Sequence, residues 1–178
     1  MIKGNIIWLN GCSSAGKSTL VKILQKHLKT PYFCIAQDTF TDIISPWCDG
    51  NFNGIEADQL WYDSIEAIYH TIKLYSDLGK NSIIDHVVIN QKDGKEQEYF
   101  DKAMKLLEGY PLTLVRVNCS LDELKRREIE RGDCEIGNAE WQLNMGLYLQ
   151  GGYTCEVDTS KDSMDECAKQ ILGYIDVK

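Results

Sequence analysis

An α/β fold built on a parallel sheet is predicted by three observations. Short apolar runs rich in β-branched and aromatic residues alternate with longer segments of helical period, which is the pattern of βαβ units. The first of these runs leads into a glycine-rich string ending in Gly-Lys-Ser, and that string opens an amphipathic helix. The chain has 178 residues, 43% of them apolar or aromatic and 26% charged, as expected of one globular domain spanning 1–178 and unlike a disordered chain.

The elements follow in order. Candidate strands fall at 5–9, 32–36, 82–89, 112–118 and 153–157. Between the first two, 17–29 carries Leu20, Ile23, Leu24 and Leu28 on one face before Pro31 stops it, and 56–78 carries Leu60, Trp61, Ile65, Ile68 and Ile72 before Gly79. Further helices are predicted over 95–107, 121–131, 139–150 and 163–175, which leaves no segment for a second domain. The stretch 45–54, SPWCDGNFNG, reads as an irregular loop in which Trp47 and Phe52 are embedded.

Several classes of function are excluded. With 19 Lys and Arg against 27 Asp and Glu the net charge is −8, the wrong sign for a protein that tracks phosphate backbones or anionic lipid, so no nucleic-acid or membrane partner is expected. The seven cysteines include no CxxC pair and read as reduced, mostly buried thiols. No run approaches a membrane span and the N-terminal apolar stretch is too short for a signal peptide, so a cytoplasmic protein is expected. Nothing in the chain decides its oligomeric state, and a homo-oligomer stays open.

Gly11-Cys12-Ser13-Ser14-Ala15-Gly16-Lys17-Ser18 fits GxxxxGK[ST] between a strand and a helix, the context that the phosphate-binding loop requires. The glycines let successive backbone N–H groups turn onto phosphate oxygens, and the helix N-terminus adds partial positive charge. The nucleotide-binding set therefore runs Gly11, Cys12, Ser13, Ser14, Ala15, Gly16, Lys17, Ser18 and Thr19. Lys17 reaches the β and γ phosphates, and the Ser18 hydroxyl is a ligand for Mg²⁺. No DxxG occurs, and Asn90-Gln91-Lys92-Asp93 lacks the lysine of a guanine reader, so the GTPase reading is weak.

Three of the four arginines, Arg126, Arg127 and Arg131, fall within six residues. On a helix Arg127 and Arg131 share a face, where two guanidiniums converge on a phosphate. The competing reading is a solvated helix whose arginines pair with Glu123, Glu128 and Glu130. The loop upstream favours a lid over about 121–137, with Gly132-Asp133 ending its helix and a mobile turn through Gly137.

Ligands of an open parallel sheet bind beyond the carboxyl ends of its strands, so acidic residues there matter most. Asp38 follows the second strand and is assigned as the base that accepts the acceptor's hydroxyl proton, against an alternative as a helix cap. Asp85 interrupts an apolar strand and needs a partner, either Mg²⁺ or substrate. His86 points to the opposite face and reads as structural. Asp158 closes the fifth strand and is open to a reading as the cap of the next helix.

Leu9-Asn10-Gly11 with the SSAGKS core, Ile83-Ile84-Asp85, Arg127-Glu128, Arg131-Gly132-Asp133 and Val157-Asp158-Thr159 together resemble the chloramphenicol phosphotransferase family, small kinases of the phosphate-loop class. The resemblance implies a five-stranded sheet of order 2-3-1-4-5, ATP as donor, Asp38 as base, Arg127 and Arg131 at the phosphates, and the 157–160 loop, with Asp158 and Thr159, near adenine. The chain departs from the family at Cys12, at His86, at Cys134 and in a shorter 45–54 segment.

The expected function is thus ATP-dependent transfer of a phosphoryl group to a hydroxyl of a small molecule, chloramphenicol-like and neutral, since Lys73 is the only Lys or Arg in 40–75. Trp47 and Phe52 are the expected pocket aromatics. The alternatives are a kinase of another metabolite, such as a nucleoside or sugar nucleotide, and a nucleotide-binding sensor without transfer chemistry.

Overall fold

The computed structural model describes residues 2–48, 54–89, 95–132, 135–148 and 152–175, the side chains of 45–48 and 54–58 excepted. Twelve elements follow one another as β1 (Ile6–Gly11), α1 (Lys17–His27), β2 (Tyr32–Ala36), α2 (Gln37–Cys48), α3 (Gly54–Asp77), β3 (Asn81–His86), α4 (Lys95–Leu106), β4 (Leu112–Asn118), α5 (Leu121–Arg131), α6 (Asn138–Asn144), β5 (Cys155–Asp158) and α7 (Met164–Ile175). The strands form one sheet in the order β2-β3-β1-β4-β5, every pair parallel. This is the order implied by the resemblance.

The period of two along each strand sorts the core into two layers. Ile7, Leu9, Ile83, Val115, Val117 and Val157 pack with α1 and α7 on one face. Ile6, Trp8, Ile35, Ile84 and Leu114 pack with α3 and α4 on the other. Central β1 is buried along its whole length, which explains an apolar run without polar alternation. A Ser163-to-Glu166 capping box starts α7, the Ser163 N–H donating to Glu166 Oε2 at 2.9 Å.

Several boundaries differ from the sequence reading, which also placed no helix over Gln37–Cys48. The third strand ends at His86 rather than 89, because side chains take over the ladder. Gln37 Oε1 accepts from Val87 N–H at 3.0 Å, Asn10 Oδ1 from Val88 N–H at 3.0 Å, and Glu96 Oε2 from Ile89 N–H at 2.7 Å. The loop expected over 45–54 is helical at both ends, since 45–48 finish α2 and Gly54 opens α3, while 49–53 lie outside the described residues. Pro46 removes one backbone donor in the last turn of α2, which nevertheless continues to Cys48. The helix expected over 139–150 stops at Asn144, where Gly146 at φ 83° turns the chain.

His86 lies on the face away from Asp85, as alternation requires, and is 2% exposed. Its ring sits 5.6 Å from that of Trp8 and 5.9 Å from that of Tyr69, and neither ring nitrogen has a hydrogen-bond partner among the described residues. Burial, with a lesser contribution from the Lys17 charge, pushes the imidazole from 6.5 down to about 3. The neutral ring is therefore favoured by folding, and the unfolded chain takes up the proton first. Its contribution to stability is complete above pH 6.5 and falls as the pH drops toward 3, by up to about 1.4 kcal/mol per pH unit. His86→Phe is expected to flatten that slope. Urea denaturation midpoints from pH 7 to 4 check it, and parallel curves for the two proteins would refute it.

Candidate functional site

The loop after β1 owes its path to two close approaches. A Cβ on Gly11 would lie 2.7 Å from the Val117 carbonyl oxygen, and Gly16 holds φ 91° with the Met164 methyl 2.4 Å from where a Cβ would stand. Ser14 shares the left-handed region at φ 62°. With the chain so turned, α1 begins at Lys17 and its free N–H groups face the cleft.

Lys17 is 7% exposed. Its Nζ donates to the Cys12 carbonyl at 3.1 Å and lies 3.6 Å from Asp85 Oδ1. The other carboxylate oxygen of Asp85 accepts from the Ser18 hydroxyl at 2.6 Å. The carboxylate inside the sheet thus finds its partners in the loop, and Ser18 and Asp85 present two adjacent oxygens. Those donors suit a hard divalent cation that takes its remaining ligands from phosphates and water. Thr19 lines the same cleft, while Cys12 and Ala15 are buried beneath the loop, where burial pushes the Cys12 thiol up to about 12.

Asp38 lies in the first turn of α2. Its neighbour Gln37 turns inward to hold Val87 N–H, which leaves the exposed Asp38 side chain at the cleft. All three clustered arginines lie on α5 and line the cleft. Arg127 faces the loop, donating to Thr159 O at 2.8 Å, to Thr159 Oγ1 at 3.1 Å and to Ser14 O at 3.4 Å. Its Nε holds Glu123 at 2.8 Å. Arg126 takes the solvated reading, with ion pairs to Glu123 and Glu130. Hydrogen bonds from Arg126 and Arg127 pull the Glu123 carboxyl down to about 2.

Thr159 supports the loop from behind, its hydroxyl donating to Ala15 O at 2.8 Å. Asp158 closes its own turn, accepting from Ser160 N–H at 3.0 Å and pairing with Lys161 at 2.8 Å, so α7 is capped by Ser163 instead. Neither Asp158 nor Thr159 is part of the cleft lining.

The cleft has a volume of about 1210 Å³ and joins the loop, Asp38, Asp85 and the arginine helix in one space. Trp61, Tyr62 and Trp141 line it, with Tyr62 stacked on Tyr99 at 4.9 Å. The side chains of Trp47 and Phe52, the aromatics expected there, lie outside the described residues. Two further residues of the site carried no local signal in the chain: Gln142 reaches the loop from α6, and Lys95 enters the cleft over the Tyr62 ring at 4.1 Å. Glu128, expected among the partners of the arginines, is fully buried. Glu128 binds backbone, accepting from Ala139 N–H at 2.7 Å and Gly137 N–H at 3.1 Å, so the turn before α6 is anchored at Gly137.

A parallel sheet of order 2-3-1-4-5 with this loop at the end of its central strand is the fold shared by kinases of the phosphate-loop class. Solved structures of similar fold include a sugar kinase from Janibacter (TM-score 0.71, 16% identity, covering 98% of this chain and 95% of that one). They also include the Mycobacterium tuberculosis APS kinase bound to AMPPNP and APS (TM-score 0.70, 14% identity, 99% of each chain). The chain belongs to the chloramphenicol phosphotransferase-like family, whose model matches residues 4–176. A Mycobacterium tuberculosis protein named "Putative O-phosphotransferase" is 28% identical over 197 residues, covering 96% of this chain and 82% of that protein. No helix among the described residues is long and apolar enough to cross a membrane.

Proposed function

We propose that the protein transfers the γ-phosphoryl group of ATP, with Mg²⁺, to a hydroxyl of a small neutral molecule, a chloramphenicol-like acceptor being favoured. The observation that supports this reading is the shared cleft, in which the phosphate-binding loop and a carboxylate at the end of β2 face one space. Lys17 and the loop N–H groups bind the β and γ phosphates. Ser18 and Asp85 hold the cation, which when bound neutralises charge on the β and γ oxygens. Asp38 aligns the acceptor hydroxyl and takes its proton. Arg127 and Arg131 attend the phosphates, and α5 with the turn to Gly137 acts as a lid of the single domain that excludes water. The 157–160 loop with Asp158 and Thr159, which the family resemblance puts near adenine, acts behind the phosphate-binding loop and outside the cleft lining.

A neutral acceptor agrees with the placement of Lys73, whose ammonium is bound to Asp77 at 2.6 Å. Trp61 and Trp141 line the cleft and give an aromatic acceptor side chains of its own kind to pack against. The test is a mass spectrum of chloramphenicol incubated with the protein, ATP and Mg²⁺, beside Lys17→Ala. A phosphorylated drug formed only by the unaltered chain is expected. Unchanged drug with acceptor-dependent ADP release from a panel of hydroxyl compounds would discard the drug and keep the kinase. ATP binding with no release from any acceptor would favour a sensor.

A further inference from the structure

Gln142 stands outside every motif in the chain, yet it is only 7% exposed and sits against the phosphate-binding loop. Its Oε1 accepts from Ser13 N–H at 2.7 Å and lies 3.4 Å from Cys12 Sγ. The Ser13 N–H and the Cys12 carbonyl belong to one planar peptide unit. That carbonyl accepts from Lys17 Nζ at 3.1 Å. A single rigid plane therefore carries Gln142 on its N–H edge and the lysine of the GxxxxGK[ST] motif on its C=O edge. Rotation of the plane would break both hydrogen bonds at once.

The helix that supplies Gln142 is itself tied down. Glu128, fully buried on α5, accepts from the N–H groups of Gly137 and Ala139 at the start of α6, and the Cys12 thiol donates to the Ala139 carbonyl at 3.3 Å. Adjacent Arg127 grips the loop on its other side through Ser14 O and Thr159. The segment 12–15 is thus held from two directions by neighbouring residues of one helix.

We propose that Gln142 is a positioning residue for phosphoryl transfer, fixing the Cys12–Ser13 peptide so that Lys17 is aimed at the nucleotide's terminal phosphates. This deepens the reading of the loop as an ATP site and does not depend on the acceptor. A glutamine that merely satisfied a buried N–H would stabilise the fold without regard to Lys17. The two roles separate in a double-mutant cycle on ATP affinity, measured by calorimetry with Mg²⁺ for the unaltered protein, Gln142→Met, Lys17→Met and the double variant.

Gln142→Met is expected to weaken ATP binding about tenfold in the unaltered background, and less than about twofold once Lys17 is methionine. An equal loss in both backgrounds, or no loss in the first, would overturn the proposal. Gln142→Ala carries the same expectation should the methionine variant unfold in a thermal melt. Failure of the unaltered protein to bind ATP would overturn both this inference and the nucleotide reading. Intact binding and coupling without acceptor-stimulated ADP release would remove only the transfer reaction.

Discussion

Lys17→Met is expected to lower acceptor-dependent ADP release by about a thousandfold or more. In a loose transition state the protein supplies position and charge rather than covalent chemistry, so losing the ammonium proposed to meet the terminal phosphates is expected to remove much of the catalytic effect. The site has little means of compensation. Lys17 is 7% exposed, held between the Cys12 carbonyl and Asp85, and Arg127 meets the loop from the opposite side through Thr159 and Ser14. The fold should persist, because Asp85 keeps its hydrogen bond from Ser18 at 2.6 Å. Circular dichroism beside the ADP-release assay separates the two effects, and turnover within tenfold of the unaltered protein would end the assignment.

Asp38→Asn is expected to lower kcat by about a hundredfold to ten-thousandfold while changing ATP affinity less than about threefold. The amide keeps the size and the hydrogen-bonding reach of the carboxylate but cannot take up the acceptor proton. The position of Asp38 is set by Gln37, whose bond to Val87 N–H pins the first turn of α2 and leaves the next side chain at the cleft. On the proposed reading nucleotide contacts come from the loop and α5, so affinity for ATP reports on a different set of residues. Equal kcat in the asparagine variant would remove Asp38 as base, whereas a parallel loss of ATP affinity would make it part of the nucleotide site.

The parts of the site that were legible in the chain are those whose chemistry needs contiguous residues or a conspicuous exception. Gly11 to Ser18 must be consecutive to wrap a phosphate, and Asp85 stands out as a carboxylate in an apolar run. The parts that were not legible depend on contacts across long separations. Val87, Val88 and Ile89 look like more strand, and only the acceptors on Gln37, Asn10 and Glu96 end the ladder there. Gln142 meets Ser13 across 129 residues, a distance over which no periodicity or spacing speaks. α2 as a whole was not legible, since the string from Ser45 reads as loop chemistry while the chain is helical from Gln37 to Cys48. Glu128 was legible as a charge and misleading as a surface partner, because its burial is decided by the chain 9 and 11 residues further on.

The separation of the interior into two layers gives the molecule a division of labour. The layer containing Ile7, Leu9, α1 and α7 underlies the donor machinery, whereas Trp61 and Phe40 pack on the layer of Trp8, α3 and α4. The sheet between them insulates one set of side chains from the other. On the proposed reading, substitutions in the layer of α3 and α4 are expected to change the acceptor side of the cleft more than the phosphate-binding loop, with Trp141 of α6 reaching the cleft from the other layer.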